Sequence, residues 1–373
     1  MGVAAAAMAW LLTVYRLRTR IRETEPPEEI PPAALPAVSV IIYANDNAAD
    51  LRRMLPVVLG QEYPEGKMEV IVVNDGSVDD VTDVVNYLGL QHKNLYITFV
   101  PPEAHNLSRK KLAVSLGIKA ARNEVIVLTT AEAVPASRRW LRDMAFPFSA
   151  EGGAKDVVLG RAAVTGLRRP MLRFDQVFQS ALWLSAALHG HPYRGTGFNL
   201  AYRRQLFFSA KGFSRSLNLH YGDDDLFVNQ ISTPDNTAAV LTPGSLVKVR
   251  FQRPRHAYRD LRLQHCFTAR FLPKGPRRLM GVSTLAIWLW VAAVTVGCVF
   301  SLPNWFPACV FAASVPALWI PLTVNWLRTG RALGLRLSPV LLWWEMLWRW
   351  LPDYRRRLRC TSSRRRNYTW LQK

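Results

Sequence analysis

Three consecutive carboxylates, Asp223, Asp224 and Asp225, stand between Gly222 and Leu226. Like charges at that spacing repel, so the fold must offset them with a helix N-terminus, a cation or a proton. An acid held in such a place can take a proton from a hydroxyl, whereas the plainer role is to cap a helix expected over residues 225–231, with Asp223 as N-cap. Asp75 lies in Asn74-Asp75-Gly76-Ser77, where a carboxylate can accept hydrogen bonds from a nucleobase imide or a ribose. An ordinary Asp-Gly turn with a positive-φ glycine explains the same residues. Glu132, in Thr130-Ala131-Glu132, offers one hard oxygen ligand of the kind Mg²⁺ takes, or is a solvated loop acid. Arg109, Lys110 and Lys111 form a cationic run that could meet negative charge developing on a departing group.

Short β-branched runs alternating with helical stretches position these residues, the pattern of an α/β domain with a largely parallel sheet. Strands are expected at residues 38–43, 69–73, 95–100 and 124–129, with helices over 49–59 and 108–121. Ligands of open sheets bind beyond the carboxyl ends of the strands. Those ends are followed by Ala44-Asn45-Asp46-Asn47, Asn74 to Ser77, and Thr130 to Glu132. The first turn carries no GxGxxG or GxxxxGK[ST] loop, which disfavours dinucleotide and P-loop sites.

The 373 residues carry 48 Lys plus Arg against 27 Asp plus Glu, a net charge of +21 that points to anionic partners. Cys266, Cys298, Cys309 and Cys360 show no CxxC spacing, so neither a zinc ribbon nor a disulfide framework is expected. Residues 279–300 and 305–327 contain no charged residue and each has the ~20 residues needed to cross a bilayer. Arg277 and Arg278 precede the first run and Arg328 and Arg331 follow the second, which places both flanks in the cytoplasm. The apolar residues 1–15 precede Arg16, Arg18, Arg20 and Arg22, an order that suits an anchor or interfacial helix better than a cleaved signal. Tryptophans at 343, 344, 348 and 350 suit a headgroup-level helix, and seven arginines over 355–366 suit anionic lipid. Nothing resembles a recognition helix or RNA-binding sheet, so no nucleic-acid partner is expected. The expected divisions are an anchor with a Pro-rich linker over 1–36, a catalytic domain over 37–273, a transmembrane hairpin over 274–328, and an interfacial helix with a basic tail over 329–373.

The blocks VSVIIYANDN, EVIVVNDGSVDD, NLSRKKLAVSLGIKAAR, EVIVLTTAEAVP and YGDDDLFVNQI, taken in order, resemble the family 2 glycosyltransferases of GT-A fold, across residues 38–271. The variants YANDN and GDDDLFVN look closest to membrane-bound members from Bacteroides-like bacteria. The resemblance implies an α/β, Rossmann-like nucleotide-sugar-binding domain with a mixed, mostly parallel sheet, followed by transmembrane helices. It implies an inverting transferase with Asp224 as general base. Ala44, Asp46, Asp75, Lys110 and Glu132 would bind a nucleotide sugar, UDP-linked first. Gly197, Asn199, Asp223 and Gln264 would lie on the acceptor side. The family's Asp-x-Asp metal motif is replaced by Thr130-Ala131-Glu132, leaving Glu132 as the expected ligand of Mg or Mn. Gln264 begins a Gln-x-x-Arg-Trp motif in which Phe267 and Thr268 replace Arg and Trp, so processive polymerisation is not implied. The implied acceptor is a lipid carrier or envelope glycan at the bacterial inner membrane. A polyprenyl-phosphate sugar synthase and a non-catalytic nucleotide-sugar sensor are the alternatives.

Overall fold

The computed structural model describes residues 2–25, 30–102, 108–301 and 305–362. Pro26 and Pro27 of the expected linker, Asn106 and Leu107, the 302–304 connection and Arg364 to Arg366 of the tail lie outside them. The described chain divides into two compact units.

The larger unit is mainly Glu23–Gly166 with Ala186–Leu272. Its elements in order are β1 (Val38–Ala44), α2 (Ala48–Leu59), β2 (Met68–Asn74), α3 (Val81–Gly89), β3 (Leu95–Phe99), α4 (Arg109–Ala120) and β4 (Val125–Thr130), numbered after an N-terminal helix α1 (Gly2–Arg18). There follow β5 (Ala133–Pro135), α5 (Trp140–Ala145), β6 (Val157–Leu159), β7 (Ala162–Val164), α6 (Pro170–Leu188), β8 (Leu200–Arg203), α7 (Arg204–Ser209), α8 (Asp225–Ile231), β9 (Thr237–Ala239), β10 (Val247–Val249) and α9 (Pro254–Thr268). The expected strands lie within one residue of the observed ones, because strands buried on both faces read as continuous β-branched runs. One sheet runs β3-β2-β1-β4-β8-β6-β9, and a smaller one β5-β10-β7. The sheet is mixed: β1 to β4 are parallel, while β8 runs antiparallel to both β4 and β6. The register decides where chemistry can occur. Ala44 pairs with Asn74 and Tyr43 with Thr130, so three strands end at one level and their following loops share an edge.

Helix α4 covers β1, β2 and β3 and buries a cation. Lys111 is 2% exposed, and its Nζ donates to Ser216 O at 2.5 Å, Ser216 Oγ at 3.1 Å and Leu219 O at 2.9 Å. All three acceptors belong to the chain approaching the acidic turn, which α4 therefore anchors. Burial pushes the amine down to about 8, against the opposing pull of Asp223, Asp225 and Asp224.

The smaller unit gathers Met1–Arg22, Leu167–Ser185 and Pro273–Arg359. It contains α1, most of α6, α10 (Gly275–Phe300), α11 (Trp305–Ala332), α12 (Leu342–Trp348) and α13 (Trp350–Ser362). Two helical stretches, Arg278–Phe300 and Trp305–Ala332, are long and apolar enough to cross a membrane, and 28% and 22% of their most apolar windows are buried. Trp326 is enclosed by Tyr15, Phe174 and Phe178, with ring centroids 5.5, 5.2 and 5.3 Å away. Polar contacts add to this: Thr329 Oγ1 donates to Thr19 O at 3.2 Å, and Arg356 of α13 bridges Asp175 of α6 at 3.3 Å and Asp353 at 2.6 Å.

Lys111→Met takes this donor from Ser216 Oγ and Leu219 O, while Ser216 O keeps the Leu219 N–H at 3.0 Å, and is expected to destabilise the protein by about 1–3 kcal/mol for each acceptor left buried without a partner. The folded pKa lies below the ordinary 10.5, so the unfolded chain binds more protons between about 8 and 10.5. Stability relative to the Met variant therefore rises with pH through that window. Thermal melting of both proteins in detergent at pH 7 and pH 10 checks the size and the sign.

Candidate active site

The loops after β1 and β2 are zipped together. Asp46, at φ 52°, donates its N–H to Ser77 Oγ at 3.0 Å and accepts from Val78 N at 2.8 Å. Asn45 Nδ2 donates to Asp75 O at 2.7 Å, and Asp75 N to Ala44 O at 2.9 Å. Gly76 at φ 66° makes the tight turn that leaves the Asp75 side chain pointing along the sheet edge. Asp75 is 3% exposed; its Oδ1 accepts from Arg109 Nε at 2.7 Å and its Oδ2 from the Tyr43 hydroxyl at 2.8 Å. Burial pushes the Tyr43 phenol far up, and the Asp75 carboxylate with the charges of Asp223 and Glu132 pushes it further. Tyr43 stays a neutral donor facing acids on two sides. Glu132 is half-buried and its Oε1 accepts from Asn47 Nδ2 at 3.2 Å, while Ala131 is fully buried and presents a methyl.

At the acidic turn each carboxylate has a different partner. Asp223 Oδ2 lies 2.7 Å from Lys110 Nζ. Burial would raise this acid, but Lys110 outweighs it and holds Asp223 below the ordinary carboxylate range. Burial would likewise depress the ammonium, but Asp223 and Asp224 hold it above its usual value. Asp224, not Asp223, is the N-cap of α8, accepting from Asp225 N at 2.7 Å through Oδ1. The expectation of an Asp223 cap missed the ion pair that draws Asp223 to α4. Asp224 Oδ2 accepts from Gly197 N at 3.0 Å. A Cβ on Gly197 would sit 3.6 Å from Asp224 Cβ and 3.8 Å from Lys110 Nζ, filling the space between the acid and the cation. Asp225 is buried and accepts from Arg194, Thr268 and Leu226 N; burial pushes it up to about 7, with Asp224 adding to the rise.

Two cavities share this turn. One runs under the ends of β1 and β4, between Ile41, Tyr43, Thr130, Lys110 and Asp224. The other keeps Lys110, Gly197, Asp223 and Asp224 and is closed by Leu261, Gln264 and His265 of α9. Five expected site residues line neither cavity: Asp46, Asp75 and Glu132 stand in the loops at the sheet edge, and Ala44 and Asn199 belong to the interior. Ala44 is buried, with its carbonyl taken by Asp75. Asn199 is 0% exposed and lines neither cavity; its amide accepts from Trp140 Nε1 at 3.0 Å and donates to Arg161 O at 2.9 Å and Ser245 O at 2.8 Å. It is a hub of the core. Sequence reasoning missed Tyr43, which the strand alternation Ser39, Ile41, Tyr43 could have placed on one face. It also missed Arg194 and Thr268, whose pairing with Asp225 has no local signal.

Residues 39–215 match the family model for glycosyl transferase family 2. A probable glycosyltransferase, YdaM, of Bacillus subtilis (strain 168) is 31% identical over 102 residues, 27% of this chain and 24% of that protein. Glycosyltransferase AglE of Haloferax volcanii is 27% identical over 109 residues, 29% of this chain and 34% of its own. The chain thus aligns with a quarter to a third of the length of these curated relatives. The solved structure of the mannosyltransferase PcManGT from Pyrobaculum calidifontis, in complex with GDP-Man and Mn²⁺, superimposes with a TM-score of 0.57 at 19% identity, covering 96% of this chain and 97% of that one. Residues 39–215 thus match the glycosyl transferase family 2 model, and the parallel sheet with its reversed strand β8 has the α/β GT-A fold.

Proposed function

We propose that this chain is an inverting glycosyltransferase that moves a sugar from a nucleoside diphosphate sugar, UDP-linked first, to a membrane-associated acceptor such as a lipid carrier or envelope glycan. The observation that carries this reading is the acidic turn shared by two cavities, one at the strand ends beside Tyr43 and the other against α9. The strand-end cavity takes the donor: Tyr43 lines it, and the Tyr43 hydroxyl bonds the Asp75 carboxylate, which with Arg109 forms a polar sheet edge suited to a nucleobase or ribose. The α9 cavity takes the acceptor hydroxyl. Asp224 between them removes its proton during in-line attack on the anomeric carbon, and displacement from the opposite face inverts the configuration. Lys110 meets the charge that grows on the departing diphosphate, held in place by Asp223.

GT-A relatives such as PcManGT are seen with Mn²⁺, and the donor set here bears on that group. Among the described residues no three His, Cys, Asp or Glu side chains gather to hold an ion by themselves. One carboxylate, Glu132, remains at the strand end, and Mg²⁺ commonly takes only one or two protein carboxylates beside phosphate and water. The residues fit an ion held mainly by the donor, with Glu132 as its protein ligand. Such an ion supplies positive charge to the diphosphate.

The two long apolar helices leave most of their surface uncovered, as lipid contact requires. Trp343, Trp344 and Tyr354 are exposed beside the exposed Arg355, Arg357 and Arg359, which suits the headgroup level of an anionic leaflet. These features support a multi-pass protein of a bacterial inner membrane with its catalytic domain in the cytoplasm. One observation favours a second base: both Asp224 oxygens already accept backbone N–H groups, whereas Asp223 is engaged by Lys110 through Oδ2.

Asp224→Asn is expected to lower kcat by roughly 10²–10⁴-fold with donor affinity retained. Turnover lost in Asp223→Asn but kept in Asp224→Asn would move the base to Asp223. For Glu132→Gln, calorimetric titration of a UDP-sugar against Mg²⁺ or Mn²⁺ should need about tenfold more metal for half-maximal donor binding, the low end of what loss of a metal-site contact costs. Donor binding equal in EDTA and in metal would remove the ion from this account.

A further inference from the structure

Asp225 is the one acid of the turn that the reaction above does not use. It is 1% exposed, and both of its oxygens are taken. Oδ1 accepts from Leu226 N at 2.8 Å, inside the first turn of α8. Oδ2 accepts from Arg194 Nη2 at 3.3 Å and from the Thr268 hydroxyl. Arg194 and Thr268 are themselves buried, at 7% and 2% exposure.

Two of the partners, Arg194 and Thr268, belong to pieces of chain far from the turn in sequence, and Leu226 to the turn's own helix. Arg194 lies three residues before Gly197, whose N–H holds Asp224 Oδ2. Thr268 ends α9, one turn beyond Gln264 and close after His265, both of which face the cavity. Leu226 belongs to the helix that Asp224 caps. A buried acid beside two others is electrostatically costly, and an apolar side chain of similar size would avoid that cost. What the carboxylate supplies is direction: it accepts from the Arg194 segment and from the end of α9 while held to its own helix, which an apolar contact cannot do.

We propose that Asp225 is a positioning residue that clamps the Gly197 loop and α9 onto the catalytic turn through Arg194 and Thr268, setting the turnover of bound donor and not donor affinity. This rests on the α9 cavity being the acceptor side. The Thr at 268 is then a determinant of this site in its own right. Its hydroxyl, which a tryptophan at that position would lack, couples the acceptor wall to the acid that places the base.

The test uses the full chain in detergent, with a UDP-sugar as donor, membrane lipid extract as acceptor source, and Thr268→Val, Thr268→Ser and Asp225→Asn as variants. Removal of one hydrogen bond to a buried charge in Thr268→Val should cut kcat by about tenfold while the donor KM stays within about twofold, and Thr268→Ser should restore it. Asp225→Asn combined with Thr268→Val should be no worse than Asp225→Asn alone, since both break one clamp. Hydrogen exchange followed in parallel should show faster exchange in residues 193–199 and 223–231, as well as around 268, in Thr268→Val but not in Thr268→Ser. Exchange changes confined to α9, or a donor KM rising in step with the loss of kcat, would overturn the clamp. A wild type without turnover, with exchange in the two Thr268 variants changing as described, would refute the transferase reading and leave the mechanical clamp standing.

Discussion

Three carboxylates on consecutive residues cannot share a turn unless each charge is met separately, and here three different devices meet them. Asp223 has the Lys110 ammonium, Asp224 has two backbone N–H groups, and Asp225 has Arg194 and Thr268. These partners come from α4, the loop around Gly197, the start of α8 and the end of α9, so satisfying the charges draws four separate segments to one point. The buried Lys111 next to Lys110 works to the same end, holding Ser216 and Leu219 where the chain enters the turn.

The sheet supplies the other half of the site. Parallel pairing in register makes β1, β2 and β4 finish together, so the loops carrying Asp46, Asp75 and Glu132 have to lie side by side. Hydrogen bonds between the first two loops then fix their shape without any ligand. Tyr43 connects this edge to the turn: its hydroxyl donates to Asp75 while its ring lines the cavity that Lys110 and Asp224 close. In the proposed reading, donor and acceptor come to opposite sides of one acid because the sheet edge and the charge-bound turn are built from separate interactions that meet there.

Much of this was legible because it is local. Buried parallel strands advertise themselves as β-branched runs, and the Asp-Gly turn after β2 needs the positive φ that Gly76 adopts. Crowded acids demanded a cation or a helix N-terminus, and both are present at 223–224. What stayed hidden depends on residues far apart in sequence. Asn199 looked like an acceptor-side residue, yet Trp140, Arg161 and Ser245 absorb its amide. Which acid caps α8 turned on Lys110, more than a hundred positions earlier. In the smaller unit, hydropathy shows two helices of membrane-crossing length, but Trp326 packing on Tyr15, 311 positions away, leaves no trace in either segment.

In the proposed function, one turn serves a donor on one side and a membrane-borne acceptor on the other. The most direct test is transfer of labelled sugar from a panel of UDP- and GDP-sugars by the detergent-solubilised protein mixed with membrane lipid extract, with the anomeric configuration of the product read by NMR. Label passing into the lipid-extractable or glycan fraction with inverted configuration is the predicted result. A product with retained configuration, or donor binding with no transfer to any fraction, would contradict it.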